Sequence, residues 1–338
     1  MAESVAIVLG AGYSAITGLP VTSRLFQEGA YFASHGARHR FEDVWRDYDL
    51  WCIHHPDASF EEYLGDSYLG NRGAFGPPFT WAVELIGAVL SSPRGQDAGP
   101  HNPRYAVRLT RPMRCAAHDD FWSCIMSHFE DVNVITTNYD ICIERCLRHR
   151  RMARSSMPGF FYGGLPLPQK AKGVALPWRK ENRMRAVNLE GTIPLFKIHG
   201  SLNWALHDGG ITLYQDLRAA FRRGGEAAIV PPIPEKEIPP WLQPVWTAAE
   251  QALACAHSWV VCGYSLPPYD TAMRQMLFRA AQRSRKTLFL LDPVSRQLKV
   301  RWEMVTLGAE ITCLAGLPTG TVELRRRWEA QTSEWSTR

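Results

Sequence analysis

Residues Val5 to Leu9 read Val-Ala-Ile-Val-Leu and stop at a glycine. A continuous apolar run rich in β-branched residues suits a strand covered on both faces, as in a parallel sheet flanked by helices. That run narrows the chain to the α/β class more than any other feature. The next residues, Gly10-Ala11-Gly12-Tyr13-Ser14-Ala15, fit G-x-G-x-x-A, a strand-to-helix turn of dinucleotide-binding folds in which the last glycine can be alanine. Gly10 and Gly12 permit a turn that a side chain would obstruct, and amides at the start of the following helix can point at phosphate. A tight turn without ligand has the same pattern, and the motif alone leaves both readings open. The acid that would end a second strand about 20 residues later and hold a ribose is missing, which argues against an ordinary dehydrogenase.

From about Ala30 to His128 the pattern changes. Helical apolar spacing recurs at Phe60 to Leu64, Phe79 to Leu90 and Phe121 to Phe129, with Gly- and Pro-rich breaks at Gly70 to Pro78 and Ser91 to Pro103. This segment, residues 31–130, reads as a helical insertion. Residues 1–30 and 131–338 then form a Rossmann-like core, so that 1–338 is one domain. Strand patterns resume at Val132 to Ile135, Ile193 to Ile198, Ser258 to Cys262 and Thr287 to Leu291. Each delivers polar residues at its end: Thr136-Thr137-Asn138-Tyr139-Asp140, His199-Gly200-Ser201, Gly263-Tyr264-Ser265 and Asp292-Pro293. In open parallel sheets ligands sit outside the carboxyl ends of the strands. Asn138, Asp140 and Asp292 therefore either face a ligand or cap the helices that follow them. His199 either faces a cleft or is structural.

The 338 residues carry 38 Lys and Arg against 33 Asp and Glu, a net charge of +5, which selects no class of partner. Cations concentrate between Arg145 and Lys180, a solvated face in the simpler reading and a nucleic-acid surface in the other. Glu144 and Arg148 stand at i,i+4 spacing on the helix predicted from Ile141. No apolar stretch approaches the roughly 20 residues that cross a bilayer. The N-terminus lacks the basic n-region of a signal peptide, so the cytoplasm is the expected compartment. The eight cysteines are scattered without a C-x-x-C pair and read as core thiols rather than metal ligands.

Taken in order, six segments resemble the sirtuin-like family, and more closely its zinc-lacking bacterial antiphage-defence branch than the protein deacylases. They are Gly10 to Ser14 with Gly18-Leu19-Pro20, Thr136 to Asp140, Ile198 to Trp204, Pro231-Pro232 with Trp246, Gly263 to Pro267 with Asp270, and Leu291 to Pro293. The paired cysteines of the deacylases' zinc module are missing, and Val-Thr-Ser-Arg follows Pro20 where the deacylases carry Asp-Phe-Arg.

The resemblance implies an α/β fold with a Rossmann-like parallel sheet of the sirtuin NAD-binding type, a helical insertion and no zinc module. It further implies that NAD+ is cleaved as substrate to nicotinamide and ADP-ribose, with no metal expected. By the same resemblance Gly10, Ala11, Gly12 and Ser14 cradle the pyrophosphate, and Pro20, Thr137 and Tyr264 join the binding set. Gly263, Ser265 and Asp292 hold the adenosine half. Asn138 orients the ribose and the attacking water, Asp140 contacts the nicotinamide side, and His199 is the general base. An effector of this type is silent until activated, by oligomerisation or by a separately encoded ATPase or Argonaute-type partner. Two alternatives remain at this point: a scaffold that binds NAD or ADP-ribose without cleaving it, which would not need both Asn138 and His199, and a nucleic-acid-binding component, which the modest net charge disfavours.

Overall fold

The computed structural model describes residues 4–19, 39–70, 77–91, 115–144, 146–147, 160–165, 193–207, 210–213, 226–232 and 237–336. Pro20 and every cation named between Arg145 and Lys180 lie outside them. In chain order the elements are β1 (Ser4–Leu9), α1 (Ala11–Ala15), α2 (His39–His54), α3 (Phe60–Tyr68), α4 (Phe79–Ser91), α5 (Ala116–His128), β2 (Asp131–Thr136), β3 (Phe160–Tyr162), β4 (Ile193–Lys197), β5 (Gly200–His207), β6 (Gly210–Leu213), β7 (Glu226–Ile229), α6 (Gln243–Cys255), β8 (Ser258–Cys262), α7 (Thr271–Ala281), β9 (Thr287–Leu291), α8 (Ser295–Thr306), β10 (Glu310–Leu314) and α9 (Leu317–Ser336). Residues 142–144 and 146–147 are also helical.

Seven strands form one sheet in the order β10-β9-β8-β1-β2-β4-β3, and every pairing in it is parallel. This is the α/β, Rossmann-like architecture that the apolar run at Val5 predicts. Val5 to Leu9 are fully buried because β1 is central, with β2 on one side and β8 on the other. The strand order reverses at β1, the kind of switch point where ligands bind in open α/β sheets. A separate antiparallel sheet, β6-β5-β7, follows directly after β4 and has no counterpart in the sequence reading.

Between β1 and β2 the described residues are helical. The helices α2, α3 and α4 share a second hydrophobic cluster, built on Val44, Trp51, Phe60, Tyr63, Val83 and Ile86 and joined by Tyr139, Leu202 and Ile229. Ser59 and Glu62 start α3 with a reciprocal capping box. The last helix before β2, α5, packs instead into the cluster of the main sheet through Phe121, Trp122, Cys124 and Ile125. Among the described residues no helix is long and apolar enough to cross a membrane.

The turns after β1 and β8 touch backbone to backbone. Gly12 N–H donates to Gly263 O at 2.9 Å, and a Cβ on Gly263 (φ +64°) would lie 2.3 Å from Tyr13 N and 2.5 Å from Gly12 Cα. Gly263→Ala therefore combines left-handed strain with a clash that neither backbone can relieve. It is expected to lower stability by more than about 2 kcal/mol, read as a drop in the denaturation midpoint. Gly70→Ala is the control: it shares the positive φ (+74°) with nothing within 4 Å, and should lose only the strain, about 1 kcal/mol. Equal losses in the two variants would refute the contact as the cause.

Candidate functional site

The carboxyl ends of β1, β2, β4 and β8 open onto a narrow cleft with a cavity volume of about 110 Å³. The sheet supplies Ala11, Thr137, Asn138, Tyr139, Asp140, His199, Gly263, Tyr264 and Ser265 to its lining, and the segment before α7 adds Tyr269 and Asp270. Phe60, Glu61, Leu64, Ile86 and Leu90 of α3 and α4 form the opposite wall. Glu61, Asp140 and Asp270 line the cleft without a lysine or arginine among the described lining residues. A cationic group is favoured in such surroundings over an anion.

Asn138 is held rigidly. Its backbone N–H donates to Thr136 Oγ1, and its Nδ2 donates both to Gly10 O at 2.9 Å and to Ser14 Oγ at 3.1 Å. Both amide hydrogens are thereby committed, and Oδ1 is the atom left to accept a hydrogen bond. Gly10 and Ser14 thus act on this side chain and do not line the cleft.

His199 is placed by its neighbours on both sides. Ile198 N donates to Thr136 O and Val230 N to His199 O, while Trp246 Nε1 donates to Ile198 O at 2.8 Å. The ring is buried, with Nε2 3.8 Å from Asp270 Oδ1. Asp270 is oriented in turn: Tyr264 OH donates to its Oδ2 at 2.5 Å, and Met273 N donates to its Oδ1 as the N-cap of α7. Burial pulls the His199 pKa below its ordinary value, against the Asp270 charge and the Thr137 backbone, which favour the proton. The imidazole is therefore neutral near pH 7 and able to accept a proton. A neutral imidazole beside a cleft, with a carboxylate 3.8 Å away, is suited to general-base chemistry.

Tyr139 OH is buried in the cleft wall and has no hydrogen-bond partner among the described residues. Buried hydroxyls are nearly always satisfied, so this one points to a ligand or a water. Across the cleft Tyr269 OH donates to Glu61 Oε2 at 2.6 Å, tying α3 to the segment before α7.

The residues singled out in the sequence are not all gathered here. Ala11, Thr137, Asn138, Asp140, His199, Gly263, Tyr264 and Ser265 line the cleft, whereas Gly10, Gly12, Ser14 and Asp292 do not. Asp140 Oδ1 accepts from Cys142 N at 2.7 Å, so Asp140 both borders the cleft and caps the following helix. Asp292 Oδ1 accepts from Val294 N just before α8. Glu144, which pairs with Arg148 in the sequence reading, instead turns inward to a buried Lys197 at 3.0 Å. The sequence reading gives no role to Tyr139, Glu61 or Tyr269. Tyr139 sits inside the strand-end segment Thr136 to Asp140, whereas nothing local marks Glu61 or Tyr269, whose place in the site depends on how α3 and the turns meet.

The family model described as SIR2-like domain matches residues 132–304, just over half of the chain. The chain belongs to the SIR2-like family. Asn138, His199 and Asp270 of this SIR2-like protein all lie within the matched segment. A solved structure similar to it is SIR2 in complex with the inhibitor EX-527, 2'-O-acetyl-ADP-ribose and deacetylated p53-peptide, at 13% identity over 98% of this chain and 95% of that one, with a TM-score of 0.42. No curated protein matches the SIR2-like chain.

Proposed function

We propose that the chain is an NAD+ glycohydrolase, cleaving NAD+ to nicotinamide and ADP-ribose. The observation that carries this reading is the convergence of Asn138 and a neutral His199, with Asp270 3.8 Å from its ring, on one cleft at the switch point of the sheet. In this reading Asn138 Oδ1 positions the ribose and the attacking water, while His199 takes the proton that water gives up. The nicotinamide ring leaves as a neutral molecule with the bonding pair, so no general acid is required, unlike hydrolysis by a carboxylate pair. The carboxylates of Glu61, Asp140 and Asp270 suit a pyridinium. Lacking a lysine or arginine among the described lining residues, the cleft would hold the diphosphate with backbone amides. Ala11, Thr137, Gly263, Tyr264 and Ser265 are the binding residues in this reading, with Gly10, Gly12 and Ser14 fixing the turn and Asp292 at the adenosine end.

The biological role we infer is NAD+ depletion in antiphage defence, resting on the resemblance of the strand-end motifs. Silence before infection would then be lifted by oligomerisation or by a separately encoded ATPase or Argonaute-type protein. The test is to incubate the purified chain with NAD+ over a range of protein concentrations and assay nicotinamide and ADP-ribose, beside Asn138→Ala. Product is expected with the wild-type chain and not with the variant. Because the His199 pKa is lowered, kcat/KM should stay flat through neutrality and fall only below about pH 6.5. Product formed equally by Asn138→Ala would overturn the proposed role.

A further inference from the structure

Behind the turn that carries Asn138 and Asp140, three side chains from two helices meet inside the core. Cys142 and Cys146 stand four residues apart in the helical segment, so their sulfurs lie on one face. His118 reaches them from α5, and the ligand-capable atoms of all three lie within 4.8 Å of one another. His118 Nε2 is 2.8 Å from the Tyr13 carbonyl oxygen. A carbonyl only accepts, so Nε2 carries the proton and Nδ1 turns its lone pair towards the sulfurs. A backbone carbonyl on the far nitrogen is the usual way a metal-ligating histidine is aimed. The gap from Nδ1 to Cys146 Sγ is 3.3 Å. Zn–N near 2.0 Å and Zn–S near 2.3 Å give a tetrahedral edge of roughly 3.6 Å, so little movement would admit an ion.

The surroundings supply the outer contacts such a site needs. Trp122 Nε1 donates to Tyr13 Oη at 2.8 Å, which leaves the tyrosine hydrogen for another acceptor, and Cys146 is the neighbour it reaches. Two thiolates with a divalent ion and a neutral imidazole leave the pocket uncharged.

We propose that Cys142, Cys146 and His118 bind one zinc ion, or another borderline-soft divalent cation, with a fourth position open to a small ligand. No further histidine or cysteine joins the group among the described residues. The ion would tie α5 and the helical segment together against Tyr13 of α1, directly behind the turn that presents Asn138. It would act as a strut beneath the candidate site, independent of what the cleft binds.

The full-length chain, purified and stripped of metal, is titrated with Cd2+ while thiolate-to-metal charge-transfer absorption is followed. The band is expected to saturate at one equivalent, Zn2+ should suppress it competitively, and one bound Zn2+ should raise the melting temperature by several degrees. Cys146→Ser and His118→Ala should each weaken zinc binding at least tenfold, whereas Cys124→Ser, buried but outside the group, should not. Substitution inside the core can itself unfold the chain, so the wild-type titration decides. A natively folded chain that shows no charge-transfer band with Cd2+ overturns the proposal, and the three side chains are then packed thiols beside a histidine.

Discussion

His199→Ala is expected to lower NAD+ turnover by about 10²–10⁴-fold, the usual contribution of a positioned general base. The loss should fall on kcat more than on KM, since the ring borders the cleft but does most of its work on the proton. Removing it leaves Asp270 bonded to Tyr264 and to the Met273 amide, so the fold should persist and circular dichroism should be unchanged. Asp270→Asn separates a base from a bystander. The Asp270 charge favours the His199 proton against burial, so its removal should lower the His199 pKa further and move the acidic limb of the rate profile to lower pH. Wild-type turnover in His199→Ala, or an acidic limb that does not move in Asp270→Asn, would dismiss the assignment.

Lys197→Met is expected to be the most damaging core substitution, at about 3–5 kcal/mol, because it strands a carboxylate that the fold has dehydrated. The Lys197 and Glu144 side chains are both fully buried, and Lys197 Nζ also donates to the Asp140 carbonyl oxygen. Tyr162 OH donates to the same Glu144 oxygen at 2.9 Å. Adding Glu144→Gln should recover most of the loss, since a neutral amide oxygen still accepts from Tyr162 without needing a cation. The readout is the midpoint of denaturant unfolding in the single and double variants. A Lys197→Met chain as stable as wild type would mean that the pair is not the buried contact described.

The strands were legible because their signals are local. Val5 to Leu9, Val132 to Ile135, Ser258 to Cys262 and Thr287 to Leu291 are predominantly apolar, with one polar residue at most in each, and each is an interior parallel strand within a residue at either end. The turns were legible for the same reason, as glycine, asparagine and aspartate sit where strands end. The small sheet β6-β5-β7 was not. Its strand β5, Gly200-Ser-Leu-Asn-Trp-Ala-Leu-His, mixes polar and apolar residues without strict alternation, and the register with β7 shifts midway.

The site divides along the same line. Asn138, Asp140, His199 and Gly263 stood out as polar or glycine residues at the ends of buried strands. Asp292 has the same sequence signature, yet the cleft lies over β1, β2, β4 and β8, and its lining does not include this residue at the end of β9. Glu61 and Tyr269, separated by 208 residues, meet in one hydrogen bond. Glu144 lies four residues before Arg148 but is buried against Lys197.

The sequence by itself determined the fold class, the buried strands and the polar residues at their ends, because hydrophobic period and turn chemistry act over a few neighbouring residues. Only the tertiary structure decided which strand ends share the cleft, which acid stands beside His199, and which two cysteines face His118. Those outcomes depend on strand order and helix docking, where the energy comes from contacts between residues far apart in the chain.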